Sequence, residues 1–565
     1  MDTENNSKLR FGVTGLQSGL ERWQVKCLDK LREIPRVALE LYLQPETEVA
    51  ESHHRWGDYR NQRSKRGLYW LAEQYGRTPE ARSVLPLPEY VQLKGSANYS
   101  VRFSPSSPET RWTVSPGILN QYSLDFILDL GEIPPGEEIV TIPEYGVWTL
   151  GFGDDPLDYG TVQSFWDVYN NRSVTRARLV KVLGNSKGVV MREGSFGTVS
   201  YSYERTTADP LMLGAHWPAQ VCRGILSEEQ KYISGNDNQV QLTNTPAPTN
   251  REFVGGITQQ AKNLTRKIAR VFTEQEEWAV GVLDCSVGKL LESTNCTEPE
   301  WLENDHGDEF RADPFGKRYN GTRYMLYEEF LPKEERGIIR RCKIDSNGGS
   351  ISFVDHRDVF TEPGHWSYPY VYEYDGEIYC FPQKSDSPGV DVYKARTFPD
   401  SWQYVTTIIE PFPAVDPTVF EYDDRLWLAC TPQGTWSNTS LYLFWSREIT
   451  GPWKSHELNP VKMDITSSRP GGSPFQYGGT LFRPAQDCAG GYGRRLSINR
   501  VVELTPIKFY EQVERTIEPN SKSSFPEGFH TITGLDGKTY VDGKRFRTSW
   551  RQSWKQVKNI IEVRR

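Results

Sequence analysis

The sequence predicts two parts, an α/β domain followed by an all-β five-bladed propeller. In the second part, five two-residue turns, three of them Asn-Gly or Asp-Gly, one Asp-Asp and one Gly-Gly, separate runs of aromatic and β-branched residues, which is typical of β-hairpins. The turns begin at residues 320, 375, 423, 478 and 536, at intervals of 55, 48, 55 and 58 residues. A hairpin repeat of about fifty residues indicates a propeller, and five turns predict five blades.

The positions that precede these turns share a register. Six residues before each turn stand Pro314, Pro369, Pro417, Gly472 and His530, and one residue earlier stand Asp313, Tyr368, Asp416, Gly471 and Phe529. The innermost strands of a propeller begin around one axis, so equivalent positions converge there. We therefore expect the carboxylates of Asp313 and Asp416 to face a shared mouth. The alternative is that each Asp-Pro pair only opens a strand, where proline is tolerated.

The composition fits a globular protein of two or three domains. The chain has 565 residues, of which 37% are hydrophobic, 25% charged and 12% aromatic. Its net charge of -8 and pI of about 5.7 argue against a nucleic-acid partner. The sequence contains no run of 18 apolar residues, so no transmembrane segment is expected. The N-terminus lacks the pattern of a signal peptide. The eight cysteines form no CxxC motif, so we expect free thiols and a cytoplasmic location.

The first third alternates strands and helices, which predicts an α/β domain. Residues 9–15 read as a buried strand, and residues 20–34 have helical spacing with Trp23, Cys27 and Leu31 on one face. Further strands are expected over residues 36–42, 124–130, 139–142 and 145–150.

Part of this domain resembles the folate-dependent formyltransferases. The resemblance rests on residues 146–154, Gly-Val-Trp-Thr-Leu-Gly-Phe-Gly-Asp, on residues 164–169, and on residues 188–192. That family uses an Asn, a His and an Asp to deprotonate an amine, and the resemblance places Thr149, Gly151 and Ser186 at those positions. Without a base there, general-base catalysis of formyl transfer is not available. Residues 1–240 are thus interpreted as a degenerate formyltransferase-like domain with a binding or scaffolding role.

Residues 241–277 are interpreted as a Pro/Thr/Asn-rich linker with a short helix at about 259–270. The propeller is expected over 278–547, with residues 278–282 forming the outermost strand of the last blade and closing the ring. Residues 548–565 carry Trp550 and Trp554 among basic residues and predict a C-terminal basic helix.

The propeller half resembles the N-terminal domain of plant glucosamine inositolphosphorylceramide transferases. The motifs that carry this resemblance are residues 312–315, 367–369, 416–418, 483–487 and 530–531. Related bacterial proteins pair the domain with a formyltransferase-like one. More distantly, it is similar to five-bladed glycosidases of the arabinanase and xylosidase type.

Hydrolysis of a glycosidic bond needs two flanking carboxyl groups, one acid and one base or nucleophile. The glycosidases carry the base as an Asp that opens the first blade, and Asp313 fits that place. They carry the acid as a Glu at the third blade, where this chain has Asp416. We expect Asp416 to act as the acid or to tune a neighbour's pKa. Glu328, eight residues after the first turn begins, is a second candidate acid, and Glu329 lies on the opposite side of its strand.

Eight further residues near the strand ends are candidates for substrate binding: His365, Ser367, Tyr368, Arg469, Arg483, Gln486, Asp487 and His530. Arginine suits bidentate recognition of carboxylate or phosphate, so Arg469 and Arg483 suggest an acidic or phosphorylated sugar. The alternative is an arginine paired with Asp487 as a structural clamp. No cofactor or metal is expected, although in some arabinanases a fifth-blade His helps to hold an axial calcium, which would implicate His530.

Three functions remain open from the sequence. The first is a carbohydrate-active enzyme, of the glycoside hydrolase or glycosyl transferase kind, that acts on a glycosidic bond at the propeller mouth. The second is a non-catalytic sugar-binding or scaffold protein. The third is a biosynthetic enzyme of another chemistry that reuses the mouth. The expected partner is a carbohydrate or phosphosugar ligand, whose sugar and anomer the sequence does not name.

Overall fold

The computed structural model describes residues 8–14, 19–45, 66–69, 71–72, 80–86, 99–104, 111–131, 134–160, 162–227, 238–243, 245–292, 298–302, 310–347 and 350–548. It divides into two compact units, Met1–Arg266 and Lys267–Arg565. The helices are Arg22–Arg32, Pro116–Tyr122, Val162–Tyr169, Tyr203–Gly214, Trp217–Leu226, Asn250–Thr273 and Lys289–Glu292. The expected C-terminal basic helix falls on residues 549–565, outside the described residues.

The first unit contains a ten-stranded mixed sheet. Its strands are Val174–Gly184, Lys187–Gly197, Gln239–Thr243, Leu157–Asp158, Val147–Phe152, Phe126–Asp129, Leu9–Thr14, Val37–Pro45, Tyr99–Ser104 and Arg111–Thr113, in spatial order. The central strands Leu9–Thr14, Phe126–Asp129 and Val147–Phe152 run parallel, each beside the next. Gly19–Glu21 and Val84–Pro86 form a separate pair. Strands and helices thus alternate here, and the resemblance to formyltransferases stays a prediction.

The apolar helix face is confirmed, because Trp23, Cys27 and Leu31 are all buried on the helix Arg22–Arg32. The strand expected over residues 139–142 is wrong. Ile139 donates its backbone N–H to the carbonyl of Gly136, and Ile142 donates to that of Ile139, so this segment forms turns. Its burial reflects packing of the side chains of Ile139 and Val140 into the core, which a pattern of apolar residues does not distinguish from a strand.

Of the three residues aligned with the formyltransferase triad, Ser186 lies far from Gly151. Gly151 pairs with Arg178 in the sheet, whereas Ser186 lies in the hairpin turn beyond Gly184, past the opposite end of the strand Val147–Phe152. At about 3.3 Å per residue, the two positions are separated by roughly 20 Å along the sheet. A side chain at Gly151 would have to displace the side chain of Leu157, whose Cδ2 would lie 2.5 Å from the added Cβ. These positions therefore form no common site.

The second unit is a five-bladed propeller, as predicted. Blade 1 comprises Phe310–Tyr319, Thr322–Leu331, Arg336–Asn347 and Ser350–Phe360; blade 2 comprises Trp366–Tyr374, Glu377–Lys384, Val390–Thr397 and Ser401–Ile408; blade 3 comprises Ala414–Tyr422, Arg425–Pro432, Ser440–Ser446, Lys454–Ser455 and Lys462–Met463; blade 4 comprises Phe475–Tyr477, Thr480–Asp487, Arg495–Leu504 and Phe509–Ile517. All five predicted turns join the first two strands of a blade, and both central residues of each have positive φ. Such turns match the twist of a hairpin.

Blade 5 closes the ring with chain from both ends of the unit. Its strands are, in order, Ile532–Leu535, Lys538–Thr548, Glu274–Leu283 and Glu300–Trp301. The N-terminal strand closes the ring as expected, but its assignment as the outermost strand is wrong, because Glu300–Trp301 pairs on its outer side. The predicted short helix at 259–270 is also longer, since it spans Asn250–Thr273 and leads directly into the closing strand.

Candidate active site at the propeller mouth

The innermost strands of the first three blades begin with one unusual backbone conformation. Asp313, Tyr368 and Asp416 have φ values of 54°, 47° and 52°, in the left-handed region that non-glycine residues rarely adopt. At each of them the pairing with the next strand shifts register, which marks a β-bulge. Bulges redirect side chains and are frequent beside active sites. The shared register seen in the sequence therefore corresponds to a shared geometry.

Hydrogen bonds join these strand starts around the axis. Tyr368 donates its backbone N–H to Asp313 Oδ2 (3.1 Å), and its hydroxyl lies 2.8 Å from Thr418 Oγ1 and accepts the backbone N–H of Gly472 (3.0 Å). Gly472 lies so close to blade 5 that a Cβ would be 1.9 Å from the carbonyl oxygen of Ile532. We call the end of the axis at which Asp313, Tyr368, Asp416 and Gly472 converge the mouth.

Asp313 is a buried carboxylate that, within the part of the chain the structure describes, pairs with no arginine or lysine. Besides the Tyr368 N–H, it accepts the hydroxyl of Thr531 at Oδ1 (2.8 Å), and His530 Nε2 lies 3.6 Å from Oδ1. Burial raises the pKa of Asp313 to about 6; His530 opposes this rise, while the carboxylates of Asp416 and Asp542 add to it. At neutral pH Asp313 is thus mostly ionised, yet close to its titration range.

His530 lies between two carboxylates. Its Nδ1 is 2.6 Å from Asp542 Oδ2, and Asp542 also accepts the backbone N–H groups of His530, Thr531 and Asp313. Burial lowers the pKa of His530, but the charges of Asp542 and Asp313 outweigh that effect and leave it raised. Its ring packs on Trp278, with 4.2 Å between ring centroids.

Asp313, His530 and Asp542 bring three potential ligand atoms within 4.8 Å of one another. Calcium takes six to eight oxygen ligands, whereas this cluster offers two carboxylates and one imidazole nitrogen. The carboxylate oxygens of Asp542 already accept three backbone N–H groups. The axial calcium that the resemblance to arabinanases suggested stays a prediction.

Glu328 is the second buried carboxyl group on blade 1. It lies on the strand Thr322–Leu331, opposite Ala312, the residue before Asp313. Burial, followed by the carboxylates of Asp313 and Asp416, raises the pKa of Glu328 well above its ordinary value. His365 Nε2 lies 3.4 Å from Glu328 Oε1. Glu329 points to the other side of the strand, where it binds Arg311 and Arg340 at 2.9 Å each, as the strand alternation predicted.

Asp416 has a different environment from Asp313. Arg469 binds both of its oxygens, with 2.6 Å from Nε to Oδ2 and 3.3 Å from Nη2 to Oδ1. Gln486 donates a further hydrogen bond to Oδ2 (2.7 Å), and the amide oxygen of Gln383 accepts the backbone N–H of Asp416 (3.2 Å). The side chain of Asp416 is 3% exposed. A buried carboxylate held by a guanidinium fork in this way is fixed in position and compensated in charge.

Arg483 and Asp487 are engaged elsewhere in blade 4. Arg483 forms a buried bidentate pair with Glu511 (2.5 and 2.9 Å) and also donates to the carbonyl oxygens of Ser467 and Ser468. Asp487 pairs with Arg495 at 2.7 Å. An arginine clamp exists, as the alternative interpretation held, but the partner of Arg483 is Glu511 rather than Asp487. With Arg469 bound to Asp416, neither arginine has a free bidentate face for a phosphate.

The remaining candidates divide between the mouth and its walls. Tyr368 is fully buried, so its ring supports the mouth from inside. Ser367 is 7% exposed and pairs in the sheet with Gln383, the blade 2 counterpart of Glu328. Their roles in substrate binding stay predictions.

Sequence reasoning missed Tyr492 and Lys544. Tyr492 is 37% exposed; its ring lies against the Arg469 guanidinium at 5.0 Å, and its hydroxyl is 3.4 Å from Arg469 Nη2. Lys544 donates a hydrogen bond from its ammonium group to the Tyr492 carbonyl oxygen and lies over the Trp278 ring. The signal was the run Gly490-Gly491-Tyr492-Gly493, in which glycines with positive φ at 490 and 493 present an aromatic ring at a loop tip.

Comparisons with known proteins find matches to the propeller half of the chain. Residues 295–532 match the family described as glucosamine inositolphosphorylceramide transferase 1, N-terminal. Proteins named glucosamine inositolphosphorylceramide transferase 1 are similar, one from Oryza sativa subsp. japonica (30% identity) and one from Arabidopsis thaliana (31%). Each match covers 38% of this chain; the chain spans 29% of the rice protein and 28% of the Arabidopsis protein. The predicted resemblance of the propeller half is confirmed.

Solved propellers are also similar at low identity. A family 117 glycoside hydrolase from Zobellia galactanivorans has 13% identity and a TM-score of 0.32, covering 48% of this chain and 91% of that one. An exo-1,5-alpha-L-arabinanase from a bovine ruminal metagenomic library has 16% identity and a TM-score of 0.30, covering 37% and 79%. Within the described residues, no helix combines the length and hydrophobicity that a membrane crossing needs.

Proposed function

We propose that the propeller is a carbohydrate-active enzyme that cleaves or transfers at a glycosidic bond, with Asp313 and Glu328 as its reacting carboxyl groups. The proposal rests on the presence of these two carboxyl groups together at the mouth. Two buried carboxyl groups lie on adjacent strands of blade 1 at the mouth, and the pKa of each is raised by burial. Carboxyl groups in environments that separate their protonation states are typical of glycosidases.

Their surroundings assign the roles. Asp313 accepts hydrogen bonds from Tyr368 and Thr531 and faces His530, all of which favour its ionised form. Glu328 has the imidazole of His365 as a polar neighbour. Burial raises the pKa of Glu328 well above its ordinary value, which favours its protonated form. Asp313 is therefore the base or nucleophile, and Glu328 is the acid.

In the reaction, Glu328 gives its proton to the glycosidic oxygen as the bond to the anomeric carbon breaks, and the electron pair leaves with that oxygen. Asp313 either removes a proton from the attacking water or sugar hydroxyl, or attacks the anomeric carbon itself. The first course inverts the anomer and the second retains it after hydrolysis or transfer. The anomer of the product, observed by NMR, distinguishes them.

Asp416 serves this pair rather than reacting. Arg469 and Gln486 occupy its oxygens, so it is not free to exchange a proton with substrate. Its negative charge contributes to the raised pKa of both Asp313 and Glu328. This is the tuning role, the second of the two that the sequence left open for Asp416.

A panel of free and nucleotide-linked sugars, scored for both binding and product, tests the proposal. Asp313→Asn and Glu328→Gln should each lower turnover by about 10²–10⁴-fold, the usual contribution of acid–base assistance. Asp391→Asn is a matched control, since Asp391 is a buried blade 2 carboxylate that accepts the hydroxyls of Ser387 and Thr407. Undiminished turnover by both site variants would refute the assignment.

A non-catalytic sugar-binding or scaffold role is the second candidate. It is favoured by the extent of the match, because less than a third of the length of the named transferases corresponds to this chain, and the matched family is an N-terminal one. In that case the panel would show binding without product, and Asp313→Asn would change affinity only modestly.

The structure weakens the support for an acidic or phosphorylated sugar, because Arg469 and Arg483 are both occupied by carboxylates. A neutral sugar that stacks on Tyr492 suits this mouth better.

A further inference from the structure

His365 contacts Glu328 in a geometry that fixes where protons can reside. The backbone N–H of Gly337 donates to His365 Nδ1 (2.8 Å), and His365 Nε2 faces Glu328 Oε1 at 3.4 Å. An imidazole nitrogen that accepts an N–H carries no proton of its own, because both ring nitrogens are donors only in the charged form. His365 is therefore neutral, with its single proton on Nε2.

This tautomer bears on which oxygen of Glu328 carries the proton. Because Nε2–H can only donate, Oε1 at 3.4 Å is the oxygen that would accept from it, which favours the acid proton on Oε2. Transfer of that proton to His365 would not help, since Nε2 is already protonated and Nδ1 is blocked by the Gly337 N–H. Burial, which lowers the pKa of His365, acts in the same direction.

We propose that His365 is a positioning residue whose Nε2–H keeps Oε1 of Glu328 an acceptor and thereby directs the acid proton to Oε2. Its meaning for catalysis rests on the proposed function. The side chain of His365 is 37% exposed and that of Glu328 8%, so the imidazole lies on the solvent side of the carboxyl group. The sequence predicted a substrate-binding role for His365, whereas this geometry favours a role toward Glu328.

Gly337 permits this arrangement. A Cβ at this position would lie 2.6 Å from Glu328 Oε1 and 3.0 Å from His365 Cε1, and 2.4 Å from the carbonyl oxygen of Trp366. Only glycine lets its N–H reach Nδ1 while leaving room for the Glu328 carboxyl group. The other charged groups that act on Glu328 are Asp313, Asp416, Asp542 and Arg469.

Two substitutions separate the contacts of the imidazole. His365→Gln can keep an N–H donor at the place of Nε2, whereas His365→Asn can keep an acceptor at the place of Nδ1 but cannot reach Glu328. A hydrogen bond donated to a carboxylate favours its ionised form, so loss of the donor should raise the pKa of Glu328 further. On a substrate found by the panel, His365→Asn should lower kcat by about 10–100-fold with little change in KM, and His365→Gln by less than about 3-fold.

Infrared spectroscopy tests the proposal without an activity assay. The carbonyl band of a protonated carboxylic acid, assigned to Glu328 by its loss in Glu328→Gln, is followed from about pH 5 to pH 9 in the full chain. The band should be present at pH 7 in the wild type, disappear at the same pH in His365→Gln, and disappear at higher pH in His365→Asn. A wild-type protein without the band at pH 7, or an unchanged midpoint in His365→Asn, would overturn the proposal. A sugar panel without product alongside the expected bands would refute the proposed function and leave the protonation state of Glu328 established.

Discussion

Blades 1 and 3 begin with the same motif, an aspartate in left-handed conformation followed by proline, yet their carboxylates have different partners. Asp313 receives two hydrogen bonds from uncharged groups and faces a histidine. Arg469 forms a bidentate ion pair with both carboxylate oxygens of Asp416. The difference shows that the repeat sets the backbone, whereas the chemistry depends on what the loop before blade 4 and the start of blade 5 place beside each carboxylate.

The largest expected effect comes from removing the ion pair between Arg469 and Asp416. Arg469→Met should lower the free energy of unfolding by about 3–5 kcal/mol, because it leaves a buried carboxylate without its counter-charge. Urea denaturation at pH 7 measures the loss. Arg500→Ala is the control, since the exposed pair of Arg500 with Glu514 should contribute no more than about 1 kcal/mol. A loss below about 1 kcal/mol for Arg469→Met would mean that Asp416 needs a guanidinium partner no more than Asp313 does.

Asp313 should stabilise the folded state most when its carboxyl group is uncharged. Its folded pKa of about 6 lies above the unfolded value, so the stability it contributes is full below about pH 4 and is lost as pH rises through about 6. Relative to Asp313→Asn, which lacks this titration, the wild type should therefore lose about 2–3 kcal/mol between pH 4 and pH 7. Denaturation of both proteins at several pH values gives the difference. A difference that does not vary with pH would contradict the raised pKa.

Tyr368 occupies the same register in blade 2 and allows a smaller test. Tyr368→Phe removes the hydroxyl shared by Thr418 and Gly472, leaving a buried N–H without its acceptor, and should cost about 1–2 kcal/mol. The backbone N–H that binds Asp313 is unaffected, so the pKa of Asp313 should not move. Tyr374→Phe is the matched control, because its hydroxyl bonds the Arg447 carbonyl oxygen at an exposed site. Equal costs for the two substitutions would show that the axial hydrogen bonds add nothing.

The propeller could be predicted from the sequence because its signals are local. Each turn needs two residues with positive φ, and Asn-Gly, Asp-Gly, Asp-Asp and Gly-Gly pairs supply them at all five places. The register of Asp313, Tyr368 and Asp416 followed from the turns alone. The closing strand was harder to place, because its outer neighbour Glu300–Trp301 is only two residues long and carries no strand pattern.

The partners of the mouth residues could not be predicted, because they are distant in sequence. Asp542 reaches Asp313 across 229 residues, and Arg469 reaches Asp416 across 53. The two arginines have similar sequence contexts, but Arg483 pairs with Glu511 on the outermost strand of its own blade, beyond the intervening strand Arg495–Leu504. Local patterns locate a strand and its turn, whereas charge pairs across an axis depend on how the ring closes.

Among the described residues Asp313, unlike Asp416, has no guanidinium partner, and we expect it to titrate near pH 6. NMR of protein labelled with ¹³C at the aspartate carboxyl carbons, with the Asp313 resonance identified by its loss in Asp313→Asn, measures this directly. The account predicts a midpoint at about 6. A midpoint near the ordinary aspartate value of about 3.9 would contradict it, because Asp313 would then be an ordinary ionised strand cap and not a carboxylate poised for chemistry.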